Sequence, residues 1–139
     1  MHTDGGLDER TLAAIEMATD LVFVASLDVA SIRNLGKEID ALDRLGLRAA
    51  RRHFILNRAD ARVGLEVADV ESAIGMHTSA ALPSSRSVPL SMNQGRPVVL
   101  EEPGSPVSAQ LLQFAASLLP QSEQEAAAER RGRFFRRRP

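Results

Sequence analysis

Few side chains in this sequence are placed to do covalent chemistry. The three histidines, His2, His53 and His77, are too scattered for the helical pairing that brings two imidazoles onto one metal. His53 opens an apolar run and reads as structural. Cysteine is absent, which excludes disulfides and thiolate metal sites. Ser84, Ser85 and Ser87 lack the Gly-x-Ser-x-Gly elbow of a serine nucleophile. Glu101-Glu102 reads as a solvated turn. Lys37, the only lysine, follows Gly36 within a helical pattern and reads as an exposed helix face. No catalytic and no metal-ligating residue is assigned. What remains are the polar residues just behind apolar runs: residues 26–28, 57–60 and 83–86.

Those positions take their meaning from the elements around them. Residues 7–19 have helical spacing at Leu12, Ile15, Glu16 and Thr19, with Asp8 or Thr11 as cap. Residues 20–26 form a continuous branched apolar run, which predicts a strand covered on both faces, as in a parallel sheet. Asp28 caps a second helix over 29–45, where Ile32, Leu35, Ile39, Leu42 and Leu45 make one stripe and Gly46 ends it. Residues 53–56 are a second buried strand. A short helix over 64–74 turns Val67, Val70 and Ile74 inward and closes at Gly75, and a weaker strand spans 78–82 before Pro83.

The rest of the chain is less regular. Residues 85–93 hold a helical turn or two around Pro89, and 96–106 read as loop with a short extended piece at 98–100. Pro106 opens a last helix whose buried face is Leu111, Leu112, Ala115, Leu118 and Leu119. From residue 120 charge replaces hydrophobicity. The expected organisation is therefore a domain over 1–119 and a basic tail over 120–139, disordered on its own. Alternating strands and helices predict an α/β fold with a mostly parallel sheet, a partial Rossmann-like three-layer sandwich. In such sheets ligands bind beyond the carboxyl ends of the strands, where residues 26–28, 57–60 and 83–86 fall.

Composition agrees with an ordinary globular chain, 44% hydrophobic and 25% charged, with an aliphatic core because aromatics reach only 4%. The net charge of −1 provides no whole-protein attraction to nucleic acid. The longest apolar run is far short of the ~20 residues needed to span a bilayer, and nothing reads as a signal peptide. A cytoplasmic location is expected.

Three strand-end segments carry a resemblance. Phe54-Ile55-Leu56-Asn57-Arg58, Ala81-Leu82-Pro83-Ser84-Ser85 and Asn93-Gln94-Gly95-Arg96-Pro97 resemble, in order and spacing, motifs of the MinD/ParA-type ATPases, including the CpaE-like pilus-assembly branch. Residues 20–31 resemble that family's strand leading into a helix through an Asp and a Ser. The resemblance covers residues 7–119 and corresponds to the C-terminal half of the family's P-loop NTPase-like domain, without the N-terminal phosphate-loop unit.

The resemblance implies an adenine-side pocket. Asn57 would hydrogen-bond the adenine edge, since one amide offers both a donor and an acceptor. Pro83 and Ser84 would form the other wall, with Arg58 flanking the base. The alternative for Asn57 is a turn residue, because asparagine tolerates left-handed geometry. The family's Gly-rich, lysine-bearing phosphate loop has no counterpart here. His2 stands where the family has its magnesium-linked Asp, in a segment running to Asp8. ATP binding is therefore expected to be weak or lost, magnesium is not expected, and ATP hydrolysis is not expected from this chain alone.

The expected function is that of a truncated or degenerate MinD/ParA/CpaE-like ATPase, related to division-site placement, chromosome partitioning or pilus assembly. Its partner would be the missing N-terminal half or a second copy. The alternative is a non-catalytic interaction module working through its sheet edge and its tail. Arg130, Arg131, Arg133, Phe134, Phe135, Arg136, Arg137 and Arg138 combine charge with two bulky rings, which suits reversible docking at the inner face of a membrane, or on a protein, better than contact with nucleic acid.

Overall fold

Asp8 and Asp28 set where the first two helices begin, each through a side-chain oxygen that accepts an otherwise unpaired helical N–H: Thr11 N–H to Asp8 at 2.7 Å and Ser31 N–H to Asp28 at 2.8 Å. The computed structural model describes residues 8–47, 51–61 and 63–120. The His2 segment, except for Asp8, and the arginine-rich stretch from 130 to 138 lie outside the described residues.

Residues 1–84 and 85–139 cluster as two units. In the first, α1 (Glu9–Met17), β1 (Asp20–Ser26), α2 (Val29–Arg44), β2 (Arg51–Asn57), α3 (Val67–Ile74) and β3 (Thr78–Leu82) follow one another. The strands form one parallel sheet in the order β1-β2-β3. β1 and β2 pair without interruption, Asp20 opposite Arg51 through Ser26 opposite Asn57. β2 and β3 shift register between Phe54 and Ile55 and finish with Asn57 opposite Leu82.

One face of this sheet carries the core. Ala25, Phe54 and Leu56 meet Ile32, Leu35 and Ile39 of α2 and Val70 and Ile74 of α3, with Phe23 and Leu65 packed at the margin. Burial of each large aliphatic or aromatic side chain contributes about 1.5–3 kcal/mol, so this face accounts for much of the unit's stability. The helical stripe expected on α2 is the one observed, except that Leu45 is exposed beyond the last turn. Arg52 ties the end of α2 to β2, donating to Asp43 and to the Leu47 carbonyl, each at 2.7 Å.

β1 departs from expectation. Its apolar run predicts cover on both faces, but Val22 is 43% and Val24 57% exposed. The face shared by Phe23 and Ala25 lies on the helices; the opposite face of this strand is open.

The second unit contains α4 (Ser87–Asn93), α5 (Val98–Glu101) and α6 (Pro106–Leu118). The extended piece expected at 98–100 is instead the body of α5. Pro97 supplies its N-cap position, and the Leu100 and Glu101 amides bond back to the Pro97 carbonyl. The buried face of α6 is also corrected: Val107, Ser108 and Phe114 are the buried residues, while Ala115 and Leu119 are exposed. Ser108, fully buried, donates to the Val98 carbonyl at 3.2 Å, and a polar core position of this kind has no apolar periodicity to reveal it.

Candidate functional site

Parallel strands present their carboxyl ends on one side, and here that rim is built by three successive strand ends. The Leu27 N–H bonds the Asn57 carbonyl and the Ala59 N–H bonds the Leu82 carbonyl, both at 3.0 Å. The backbone beyond each strand is thereby stitched to the end of the next. A side chain completes the assembly: Asp60 Oδ1 accepts the Ser84 N–H at 2.7 Å, clipping the loop after β2 to the segment after β3. That amide, with a lesser contribution from the Arg58 charge, holds the Asp60 carboxyl below its ordinary pKa.

Asn57, Arg58, Pro83 and Ser84 therefore share one rim. Asn57 is the last residue of β2 and stays extended. The left-handed turn falls on the next residue, Arg58, at φ 54°, the one described non-glycine residue with positive φ. Asn57 takes part in the turn through its side chain, whose Oδ1 accepts the Arg58 N–H at 3.0 Å. This bond orients the amide, leaving its NH2 donors and one oxygen lone pair without a partner among the described residues. Arg58 is exposed. On the third segment, Ser31 Oγ receives the Ser26 N–H at 3.0 Å and Asp28 caps α2, so both side chains are spent on backbone.

This rim carries the amide donors and acceptor of Asn57, with Arg58, Pro83 and Ser84 in the segments beside it. It suits the base of a purine nucleotide. It does not suit the phosphates, because no described loop here combines glycines with lysine, and Lys37 sits exposed on α2. The Asn93-Gln94-Gly95-Arg96-Pro97 segment belongs to the second unit, where it terminates α4. Gly95 is left-handed at φ 67°, and the Arg96 N–H returns to the Ser91 carbonyl at 2.9 Å.

Other features were not readable beforehand. A groove of about 440 Å³ opens between α2 and α3, lined by Val29, Ile32, Gly36, Leu65 and Val70 among others. At the amino end of the sheet, Asp20 bridges Arg51 at 2.8 Å and His53 at 2.9 Å. Arg51 first, and then His53, holds the Asp20 carboxyl well below the usual carboxylate range. These pairs join residues about thirty positions apart, and only strand register brings them together.

No protein-family profile matches the chain. A MinD septum site-determining protein of Emiliania huxleyi is 30% identical over 107 residues, 73% of this chain and 39% of that protein. A ParA family ATPase of Chlorobium tepidum shares the fold with a TM-score of 0.72 at 23% identity, over 79% of this chain and 46% of that structure. The MinD of Pyrococcus horikoshii, solved with Mg-ADP, superposes with a TM-score of 0.68 at 18% identity, over 81% and 46%. The chain spans about two fifths of the length of the curated relatives it matches and about half of the solved structures.

Proposed function

This chain is of the MinD/ParA type over most of its length, and on that premise we propose that its carboxyl rim is the base-binding side of an adenine nucleotide site. The Asn57 amide engages the adenine edge, Pro83 and Ser84 form the opposite wall, and Arg58 flanks the ring. The observation that carries this reading is the state of Asn57: one oxygen lone pair holds the amide to the Arg58 N–H, and its remaining donors and acceptor have no hydrogen-bond partner among the described residues. The Asp60–Ser84 clip supports it by holding the two walls at a set spacing.

Affinity on this reading is low, because the described residues provide contacts to the base alone. ATP is the nucleotide class, and the reading assigns magnesium no ligand in this chain and leaves hydrolysis to a more complete assembly. The curated relatives are named for septum-site determination. The reading therefore takes division-site placement ahead of chromosome partitioning or pilus assembly as the process served. The organisation carried with it is an α/β body over 1–119 and a basic tail over 120–139 that meets a membrane surface.

Calorimetric titration of the 139-residue chain with adenosine, guanosine and ATP tests the site. Adenosine is expected to bind at about millimolar strength, near −4 kcal/mol, and ATP no more tightly. Asn57→Ala is expected to weaken adenosine by about ten-fold, the worth of one oriented amide pair. Guanosine binding as well as adenosine, or an unaffected Asn57→Ala variant, would remove Asn57 from the site. Sub-millimolar ATP would overturn the base-only reading.

A further inference from the structure

The groove between α2 and α3 combines an aliphatic floor with charges of both signs. Ile32 and Val70 are buried at its base, Leu65 packs beside the core, and Val29, 57% exposed, continues the floor into solvent. Its volume of about 440 Å³ is that of a small-ligand site. Gly36, in the middle of α2, lines the same groove, and a Cβ there would meet nothing within 4 Å. Glycine weakens a helix interior, so α2 gives up stability at a position where a side chain would occupy the opening.

The charged residues of the lining are Arg33, Lys37 and Asp40 on α2 and Asp69 on α3. Arg33 and Lys37 stand four residues apart and Asp40 three beyond Lys37, so these side chains share one helix face on successive turns. None of the three forms a side-chain ion pair or hydrogen bond among the described residues. Asp69 Oδ2 accepts the Glu66 N–H at 3.0 Å and keeps its charge. Two cations and two carboxylates leave the lining neutral, with both signs present.

We propose that this groove binds a single-chain zwitterionic phospholipid of the lysophosphatidylethanolamine class. Its acyl chain lies along Val29, Ile32, Leu65 and Val70, its phosphate meets Arg33 and Lys37, and its ammonium meets Asp40. Three observations select this occupant. The floor is aliphatic and the flanking helix backbones are bonded internally, so a peptide's amides would be buried there without partners, whereas a polymethylene chain carries no polar group. A neutral lining gives a purely anionic lipid no net attraction, and a zwitterion answers both signs. The spacing also fits, since Lys37 and Asp40 are separated by a rise of about 4.5 Å along the helix, of the order of the span from phosphate to ammonium across two carbons.

The test titrates the 139-residue chain, without nucleotide, with a short-chain lysophosphatidylethanolamine held below its micelle concentration, and follows heat and backbone amide shifts. Lysophosphatidylglycerol of the same chain length supplies the phosphate without the ammonium, and glycerophosphoethanolamine supplies the head group without the chain. The expected result is saturable one-to-one binding that shifts amides of α2 and α3, about three-fold tighter than lysophosphatidylglycerol and lost without the chain. Gly36→Leu, which fills the opening, is expected to weaken binding by about ten-fold or more with a melting temperature no lower than the parent's. Asp40→Asn, which leaves the volume unchanged, is expected to erase the preference for the zwitterion. Binding that Gly36→Leu leaves intact, shifts confined to residues 120–139, equal affinity for the two lysolipids, or no saturation below the micelle concentration would each overturn the proposal.

Discussion

Arg58 occupies a conformation that L-residues enter at a cost of about 1–2 kcal/mol, and it does so where the chain leaves β2 for the rim. Asparagine is the residue a turn reading selects for left-handed backbone, yet the turn begins one position later. The reason is the ladder: Asn57 is still paired, its carbonyl accepting the Leu27 N–H. That displacement keeps the Asn57 side chain on the rim. Replacing Arg58 with glycine relieves the strain and returns part of the gain to a more flexible unfolded chain, so Arg58→Gly is expected to raise stability by about 0.5 kcal/mol. A urea titration reads this; a lower midpoint would mean that the Arg58 side chain contributes contacts of its own.

At the level of elements, glycines separate positions that need the residue from positions that only tolerate it. Gly75 ends α3 at φ 72°, with its N–H bonded to the Glu71 carbonyl at 2.8 Å. Gly36 lies inside α2, and an added Cβ at either place would meet nothing within 4 Å. Space is thus equal and backbone alone decides the sign. Gly75→Ala is expected to destabilise by about 1 kcal/mol, and Gly36→Ala to stabilise by about 0.5–1 kcal/mol. Thermal melting of the two variants should move in opposite directions; a shared direction would refute the backbone account. The helices were legible for the same local reason: caps at Asp8, Asp28 and Ser105 and period-three-to-four stripes are all short-range. α5 was not, because four residues make one turn and carry no period.

Among the described residues, three carboxylates tie the parallel sheet to its loops and, with the Asp8 cap of α1, contribute to the response to acid. Asp20 is held down by Arg51 and then His53, Asp60 by the Ser84 N–H, and Glu71 by the Thr78 N–H. Each has a folded pKa below its unfolded one. Their contribution is therefore complete above the unfolded carboxylate range, near pH 4, and is lost as pH falls through the folded values. The urea midpoint is expected to be flat from pH 7 to 5 and to decline below about pH 4. Asp20→Asn should start lower and decline less steeply. An Asp20→Asn slope equal to that of the parent would show that this cluster does not set the acid limb.

Periodicity, caps and breakers in the chain already dictate an α/β succession with three parallel strands, and the strand ends mark the rim. Their information is local, spanning a few turns or one strand. Folding decides what lies across from what. Asp60 reaches Ser84, 24 positions along the chain, only because β2 and β3 are neighbours in register. Val22 and Val24 look as buried as Ile55 in the sequence, but cover on a strand's second face comes from other elements, and a hydrophobic run cannot encode whether they are there.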